Sequence, residues 1–358
     1  MTKLAGTVRI VGAGLLGTSI GLALVKQGTD VVISSQSQKS TDLAIEYGAG
    51  RAATPADLPK LIVVCVPPEL TAEVVASELA NFPGAIVTDV ASVKSSVLEN
   101  LKELNAPLER YIGSHPMAGR ERGGAIAGRA DLFVGRPWVI SANEKSSPDS
   151  INLVRELATA LESSVIELTA ADHDRAVALV SHVPQLVSSI LAARLVDAKQ
   201  QDVNLAGQGL RDTTRIAASD PKLWLQIFSA NSSEVLKVLE LFASDVAAVI
   251  AAVKDLDDSS AQEKLLATMR SGNLGVEKIP GKHGGKHSTY AQIIVMVDDK
   301  PGELARLLTE VGEIGVNLEE LKLEHSPSAQ IGLVELYVLP ELESSLISNL
   351  QIRGWRIA

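Results

Sequence analysis

Gly12-Ala-Gly-Leu-Leu-Gly17 constrains this fold more than any other stretch, because it follows the β-branched run Val8 to Val11 and opens a helical stretch that reaches Gln27 before Gly28. Glycines at these three places allow a tight turn and let a pyrophosphate come close to the backbone. They also let the helix pack against the strand, with the anion at the helix N-terminus. A bare match to this spacing says little, but between a strand and a helix it specifies a dinucleotide-binding turn. Gly12, Gly14, Leu15, Leu16 and Gly17 are therefore the expected cofactor contacts.

The acid that usually grips the ribose hydroxyls at the end of the second strand is missing. Ser34-Ser35-Gln36-Ser37 stands there, followed by Lys39. Without a carboxylate a 2′-phosphate is not repelled, and the serines and Lys39 offer it hydrogen bonds, so NADP is permitted beside NAD. The plainer alternative is a solvated loop, with NAD held by backbone groups.

From Val8 to about Thr169, short apolar runs alternate with amphipathic stretches: Val31 to Ser34, Leu61 to Val66, Ala85 to Thr88, Trp138 to Ser141 and Val165 to Leu168. This order predicts an α/β fold, a Rossmann-type doubly wound parallel sheet over residues 1–171, with ligands at the rim where Val66-Pro-Pro68 ends the third run. Strand signals then vanish, which predicts an all-helical substrate and dimerisation domain over 172–270. Its helices are too apolar to stand alone, and a homodimer is expected. Within it, Pro184 must kink or interrupt a helix running from Asp172 to Lys199. The glycine- and lysine-rich stretch 271–288 reads as a linker. Residues 289–358 carry a βαββαβ pattern, a ferredoxin-like order.

A net charge of −10 argues against a nucleic-acid partner, so an anionic substrate must be held by local arginines. The single Cys65 reads as a small apolar residue. No apolar run looks long enough to span a membrane, and a soluble cytoplasmic protein is expected.

In Gly113-Ser-His-Pro-Met-Ala-Gly119 the glycines and proline predict a loop that presents His115, a side chain able to take a proton near neutrality. Ser92, in Asp89-Val-Ala-Ser-Val-Lys94 just past a strand end, could reach cofactor or substrate. His182, in Ser181-His-Val-Pro-Gln185, is either part of a cavity wall or a core histidine. On an unbroken helix His173 and His182 would face apart, which argues against a shared metal site. Arg211 and Arg215, four apart on a predicted helix after Gly207 and Gly209, form a clamp suited to a dicarboxylate, or else a solvated face with Asp212 as counter-charge. His283 and His287 have metal-like spacing only if helical, which the intervening glycines oppose. No metal is expected.

Taken together, these motifs resemble the prephenate/arogenate dehydrogenase family of tyrosine biosynthesis, with a C-terminal unit similar to the ACT regulatory module. Glu121, Leu210-Arg-Asp-Thr-Thr-Arg215 and the stretch from Asp220-Pro221 to Trp224 add to the likeness. The resemblance implies that His115 takes the proton of the substrate's ring hydroxyl during hydride transfer to NAD or NADP, while loss of the ring carboxylate as CO2 makes the ring aromatic. Ser92 would orient His115, Arg215 would bind a carboxylate and His182 would line the side-chain pocket. Glu121, Arg211 and Asp212 would shape the entrance, and Trp224 would pack near the substrate. Prephenate and arogenate both fit. In the C-terminal unit, Asp299, Pro301, Gly302 and Asn317 would bind an effector amino acid, with tyrosine expected. Two other readings compete: a β-hydroxyacid dehydrogenase, which would want a lysine in the helical domain, and a non-catalytic amino-acid sensor, which would leave His115 and both arginines without a role.

Overall fold

A computed structural model describes residues 4–119, 124–280, 290–325 and 331–358. Two compact units, Met1–Ala243 and Ser244–Ala358, make up the chain.

The first unit is built on strands β1 (Thr7–Val11), β2 (Val31–Ser34), β3 (Arg51–Ala52), β4 (Pro59–Val64), β5 (Ile86–Asp89), β6 (Tyr111–Pro116), β7 (Pro137–Ser141) and β8 (Ser164–Glu167). They form one sheet in the order β3-β2-β1-β4-β5-β6-β7-β8, so the winding reverses between β1 and β4. That reversal opens a crevice at the carboxyl ends of the strands. Helices α1 (Leu15–Lys26), α2 (Gln38–Glu46) and α5 (Pro148–Ala160) flank one face, and α3 (Pro68–Asn81) and α4 (Ser95–Glu103) the other. Burial on both faces explains why β4 reads as an uninterrupted apolar run. Leu61 and Val63 join one core and Ile62 and Val64 the other, all at most 1% exposed.

The sheet departs from the expected all-parallel form. β6 is parallel to β5 but antiparallel to β7, with His115 opposite Val139. The segment expected to be a loop is therefore a strand. Its punctuating residues have other uses: a Cβ on Gly113 would come within 3.2–3.3 Å of Lys94, Tyr111 and Ser141, and Pro116 is the last residue of the strand, where a missing N–H is tolerated.

Helices follow: α6 (Ala170–Val177), a π-helical turn (Ala178–His182), α7 (Val183–Ala193), α8 (Gln200–Val203), α9 (Gln208–Thr214), α10 (Pro221–Ala230) and α11 (Ser232–Lys254), within which the two units divide. Pro184 sits in the first turn of α7, where its lack of an N–H costs nothing, and the wide turn before it absorbs the interruption. Asp220 caps α10 through Lys222 N at 2.9 Å, with Pro221 at the first helical position. Contrary to the sequence reading, the run 170–193 is by length and composition apolar enough to cross a membrane. It nevertheless places His173, Asp174 and His182 in the buried interior of the first unit, and Leu179, Val180 and Ile190 lie 59–65% exposed on it.

In the second unit α12 (Ser259–Val276) continues through Gly272 and Gly275, so the expected linker begins as helix. A single glycine costs a helix only about 1 kcal/mol, too little to end one. Residues 281–289, including His283 and His287, lie outside the described residues. Next come β9 (Ala291–Asp298), α13 (Glu303–Ile314), β10 (Glu320–His325), β11 (Ile331–Val338), α14 (Glu343–Ile352) and β12 (Arg356–Ile357). The strands make an antiparallel sheet in the order β10-β11-β9-β12. Gly302 and Gly315, at φ +91° and +81°, bound α13 in left-handed conformations that favour glycine.

Candidate active site

The glycine turn has a different steric demand at each position. Gly12 has φ +115°, and a Cβ there would lie 2.2 Å from the Cys65 carbonyl oxygen; one on Gly17 would lie 1.9 Å from that of Gly12. Those two glycines are required by the fold. Around Gly14, the residue preceding α1, no atom beyond its chain neighbours lies within 4 Å of the Cβ position, so this side of the turn is open. These residues fit a dinucleotide: a sharp turn, tight helix packing, and an unobstructed backbone at a helix N-terminus. At the end of β2, Ser35 Oγ accepts from Ser37 N at 3.3 Å, and Ser37 Oγ accepts from Ser40 N at 3.2 Å as the cap of α2. Gln36 and Lys39 stay exposed beside them.

Across the crevice, the turn after β5 is held by a buried ion pair. Lys94 Nζ donates to Asp89 Oδ1, and both residues are at most 1% exposed. Asp89 also accepts from Ala91 N at 2.8 Å and Tyr111 Oη at 2.7 Å, and its carbonyl accepts from Ser114 Oγ at 2.7 Å. Three donors on one carboxylate offset the cost of burying it. Lys94, which ends the motif that holds Ser92, is therefore part of the interior. Ser92 is half-buried in this turn. The expected Ser92 contact to His115 is absent among the described residues; the ring meets another histidine instead.

His115, on β6, has Nδ1 2.9 Å from His173 Nε2, the rings edge-on with centroids 5.1 Å apart. Beyond it, His173 Nδ1 lies 2.7 Å from Asp174 Oδ1, and the Asp174 carboxylate accepts from Lys94 N at 2.9 Å and Ser95 N at 2.8 Å, at the start of α4. Burial, with the positive field of Lys94, holds His115 well below the ordinary imidazole value and His173 also below it, opposed in His173 by Asp174. Burial pushes Asp174 up, but its hydrogen bonds from His173, Ser95 and Lys94 outweigh that and keep it below the carboxylate range. Both histidines are thus neutral and Asp174 charged at neutral pH.

Asn231 Nδ2 donates to the Asp174 carbonyl at 2.8 Å and lies 3.2 Å from His182 Nδ1, which places the His182 proton on Nε2. Burial pulls His182 down to about 4. Trp224 stands edge-on to it, centroids 6.0 Å apart. His115, His182 and Trp224 thus share one neighbourhood. Sequence reasoning missed His173, Asp174 and Asn231. The usable signal was the His-Asp pair opening the helical region, weighed only against His182 as a metal site. The π-helical turn shifts the register between the two histidines, so the unbroken-helix argument does not apply.

α9 ends at Thr214, with Arg215 just beyond it; Arg211 and Arg215 are exposed, and Asp212 accepts from Gln208 Nε2 at 2.8 Å. Glu121 lies outside the described residues. In the second unit, Asp299, Pro301, Gly302 and Asn317 are exposed, and Asn317 Nδ2 donates to Glu319 at 3.1 Å. A cleft of about 320 Å³ opens next to the Pro301-Gly302 turn, lined by Asp298, Glu303, Arg306, Trp355 and Arg356 among others, but not by Asn317.

Residues 20–167 match the family described as prephenate dehydrogenase, nucleotide-binding domain, and residues 169–271 the prephenate dehydrogenase dimerization domain. A probable prephenate dehydrogenase of Streptomyces niveus is 35% identical over 98% of both chains. An arogenate dehydrogenase structure from Synechocystis is 29% identical, with a TM-score of 0.62 over 75% of this chain and 99% of that one. A prephenate dehydrogenase structure from Aquifex aeolicus, in complex with hydroxyphenyl propionate and NAD+, has the same fold at 24% identity, with a TM-score of 0.67 over 76% of this chain and 98% of that one. With the nucleotide turn, the half-buried histidine at the strand rim and the helical partner region all accounted for, the chain belongs to the prephenate dehydrogenase family of NAD(P)-dependent oxidoreductases.

Proposed function

We infer that the chain converts prephenate to 4-hydroxyphenylpyruvate and CO2, with NAD(P)+ as oxidant, in tyrosine biosynthesis. The observation that carries this is a neutral, half-buried His115 at the carboxyl rim of the sheet that also carries the open dinucleotide turn. Bound at Gly12, Gly14 and Gly17, the nicotinamide dinucleotide supplies the acceptor for the hydride of the substrate's C4. His115 takes the proton of the 4-hydroxyl as C4 becomes a carbonyl carbon; departure of the ring carboxylate as CO2 then leaves an aromatic phenolate, to which His115 returns the proton. Arg215, with Arg211, holds a substrate carboxylate, and Asp212 and Glu121 shape the entrance. The Nε2 proton of His182 faces the side chain of the substrate beside Trp224, and Ser92 lies on the turn facing the hydroxyl.

The absence of an acid after β2, with Gln36 and Lys39 exposed at the start of α2, supports use of NADP as well as NAD. Leu225, Leu236 and Leu241, 54–70% exposed on α10 and α11, support a homodimer built on the matched dimerization region. The βαββαβ unit reads as ferredoxin-like and ACT-like, and its Pro301-Gly302 turn as the place where tyrosine binds and restrains activity. Arogenate differs from prephenate by an ammonium in place of a keto group and is the second substrate to test.

The test follows absorbance at 340 nm with prephenate or arogenate, NAD+ or NADP+, with and without tyrosine. Oxidation of prephenate, with turnover reduced by tyrosine, is expected. No turnover of either substrate with either cofactor would end this reading, and activity indifferent to tyrosine would end the regulatory part.

A further inference from the structure

We propose that His173 and Asp174 form a buried relay that fixes the proton of His115 on Nδ1, leaving Nε2 bare to receive the substrate's proton. The inference rests on the catalytic reading above and concerns residues to which that reading gives no part. The contacts run outward from Asp174 through His173 to His115. Asp174 accepts from Lys94 N and Ser95 N at the positive end of α4 and is ionised, so it can only accept. His173 Nδ1, 2.7 Å from it, must then carry a hydrogen. A neutral His173 has a lone pair on Nε2, so His115 Nδ1, 2.9 Å away, must be the donor. Nε2 of His115 is left unprotonated, the form a general base needs. The other tautomer would meet the hydroxyl with a second donor and accept nothing.

The relay also gives the incoming charge a place to rest. When Nε2 takes the hydroxyl proton, the Nδ1 proton of His115 passes to Nε2 of His173. His115 is then neutral again, and the positive charge sits on His173 against Asp174. Every proton is accounted for: one enters at Nε2 of His115, one moves between the rings, and the sequence reverses when His115 returns its Nε2 proton to the ring oxygen, which loss of CO2 leaves as a phenolate. The charged and titratable groups facing the pair are Asp174 on α6, Asp89 at the end of β5, Lys94 on the turn after it, and His182 on the π-helical turn. Lys94 opposes a charge on either ring, whereas Asp174 and Asp89 favour one on His173, the direction the relay requires.

The test is long-range 1H–15N correlation spectroscopy of histidine-labelled, full-length protein, free of ligand, near neutral pH, together with steady-state kinetics. Wild-type His115 should appear as the Nδ1–H form. In Asp174→Asn the amide can donate to His173 Nδ1, which reverses both tautomers and puts the His115 proton on Nε2; kcat should fall about a hundredfold or more with KM little changed, the signature of a misplaced base proton. If that variant does not fold, His173→Gln serves: it should leave His115 as a mixture of tautomers, with a similar loss confined to kcat. An Nε2–H form of His115 in the wild type, or an unchanged tautomer and kcat in a folded variant, would overturn the relay. Absence of prephenate oxidation in the wild type, with His115 in the Nδ1–H form, would instead remove the functional reading and leave the proton placement standing.

Discussion

Replacing Asp89 by leucine should be among the most damaging single changes in this protein, and adding Lys94→Met should repair part of the damage. Asp89 is wholly buried and Lys94 is 1% exposed. Asp89 is the side-chain partner of the Lys94 ammonium, so Asp89→Leu strands a charge with no route to water. Breaking a buried pair from one side costs about 3–5 kcal/mol. The Tyr111 hydroxyl and Ala91 N–H also lose their acceptor, at about 1–3 kcal/mol for each group left unsatisfied. The sum approaches the whole stability of a typical domain, roughly 5–15 kcal/mol. Lys94→Met alone should cost less, because Asp89 keeps two of its three donors. The double variant Asp89→Leu/Lys94→Met replaces the pair by apolar groups of similar volume and should be more stable than Asp89→Leu by several kcal/mol. Urea unfolding followed by tryptophan fluorescence reads this through Trp138, which is fully buried in the same unit. A double variant no more stable than Asp89→Leu would refute the argument, because it would mean that the stranded ammonium is not the source of the cost.

The remaining predictions concern the site. His115→Asn should lower kcat about a hundredfold or more with KM nearly unchanged, and near-normal turnover would dismiss His115 as the base. In the wild type the base works only when neutral and burial lowers its pKa, so kcat/KM should hold on acidification to below the ordinary imidazole range before it falls; a fall centred near 6.5 would show that the ring is not desolvated in the working enzyme. Gly14→Ala has room in the fold, so its melting temperature should stay within a degree or two while NAD(P) affinity drops at least tenfold by calorimetry. Gly17→Ala, forced against the Gly12 carbonyl at 1.9 Å, should lose affinity and also about 1–3 kcal/mol of stability. Equal stability of the two alanine variants would count against the packing role of Gly17.

What could be read from the chain alone was what short-range rules encode. The glycine turn, the alternation of apolar runs with amphipathic stretches, the interruption at Pro184 and the βαββαβ order all rest on contacts between residues close in sequence, and each has a steric or periodic signature. His115 was legible as a proton acceptor from its residue type and neighbourhood. Its secondary structure was not, because Gly113 and Pro116 signal a turn locally, and only the neighbouring strands show that this segment pairs within a sheet. Nor was the partner of the base legible. His173 meets His115 across 58 residues, Lys94 N meets Asp174 across 80, and Tyr111 meets Asp89 across 22. Sequence spacing carries no trace of such meetings, because they are created when the sheet and the first helices of the next region pack together. That packing turns an isolated histidine, a turn lysine and an ordinary helix-opening His-Asp pair into one buried network. The desolvation that gives the network its chemistry exists only in the folded protein.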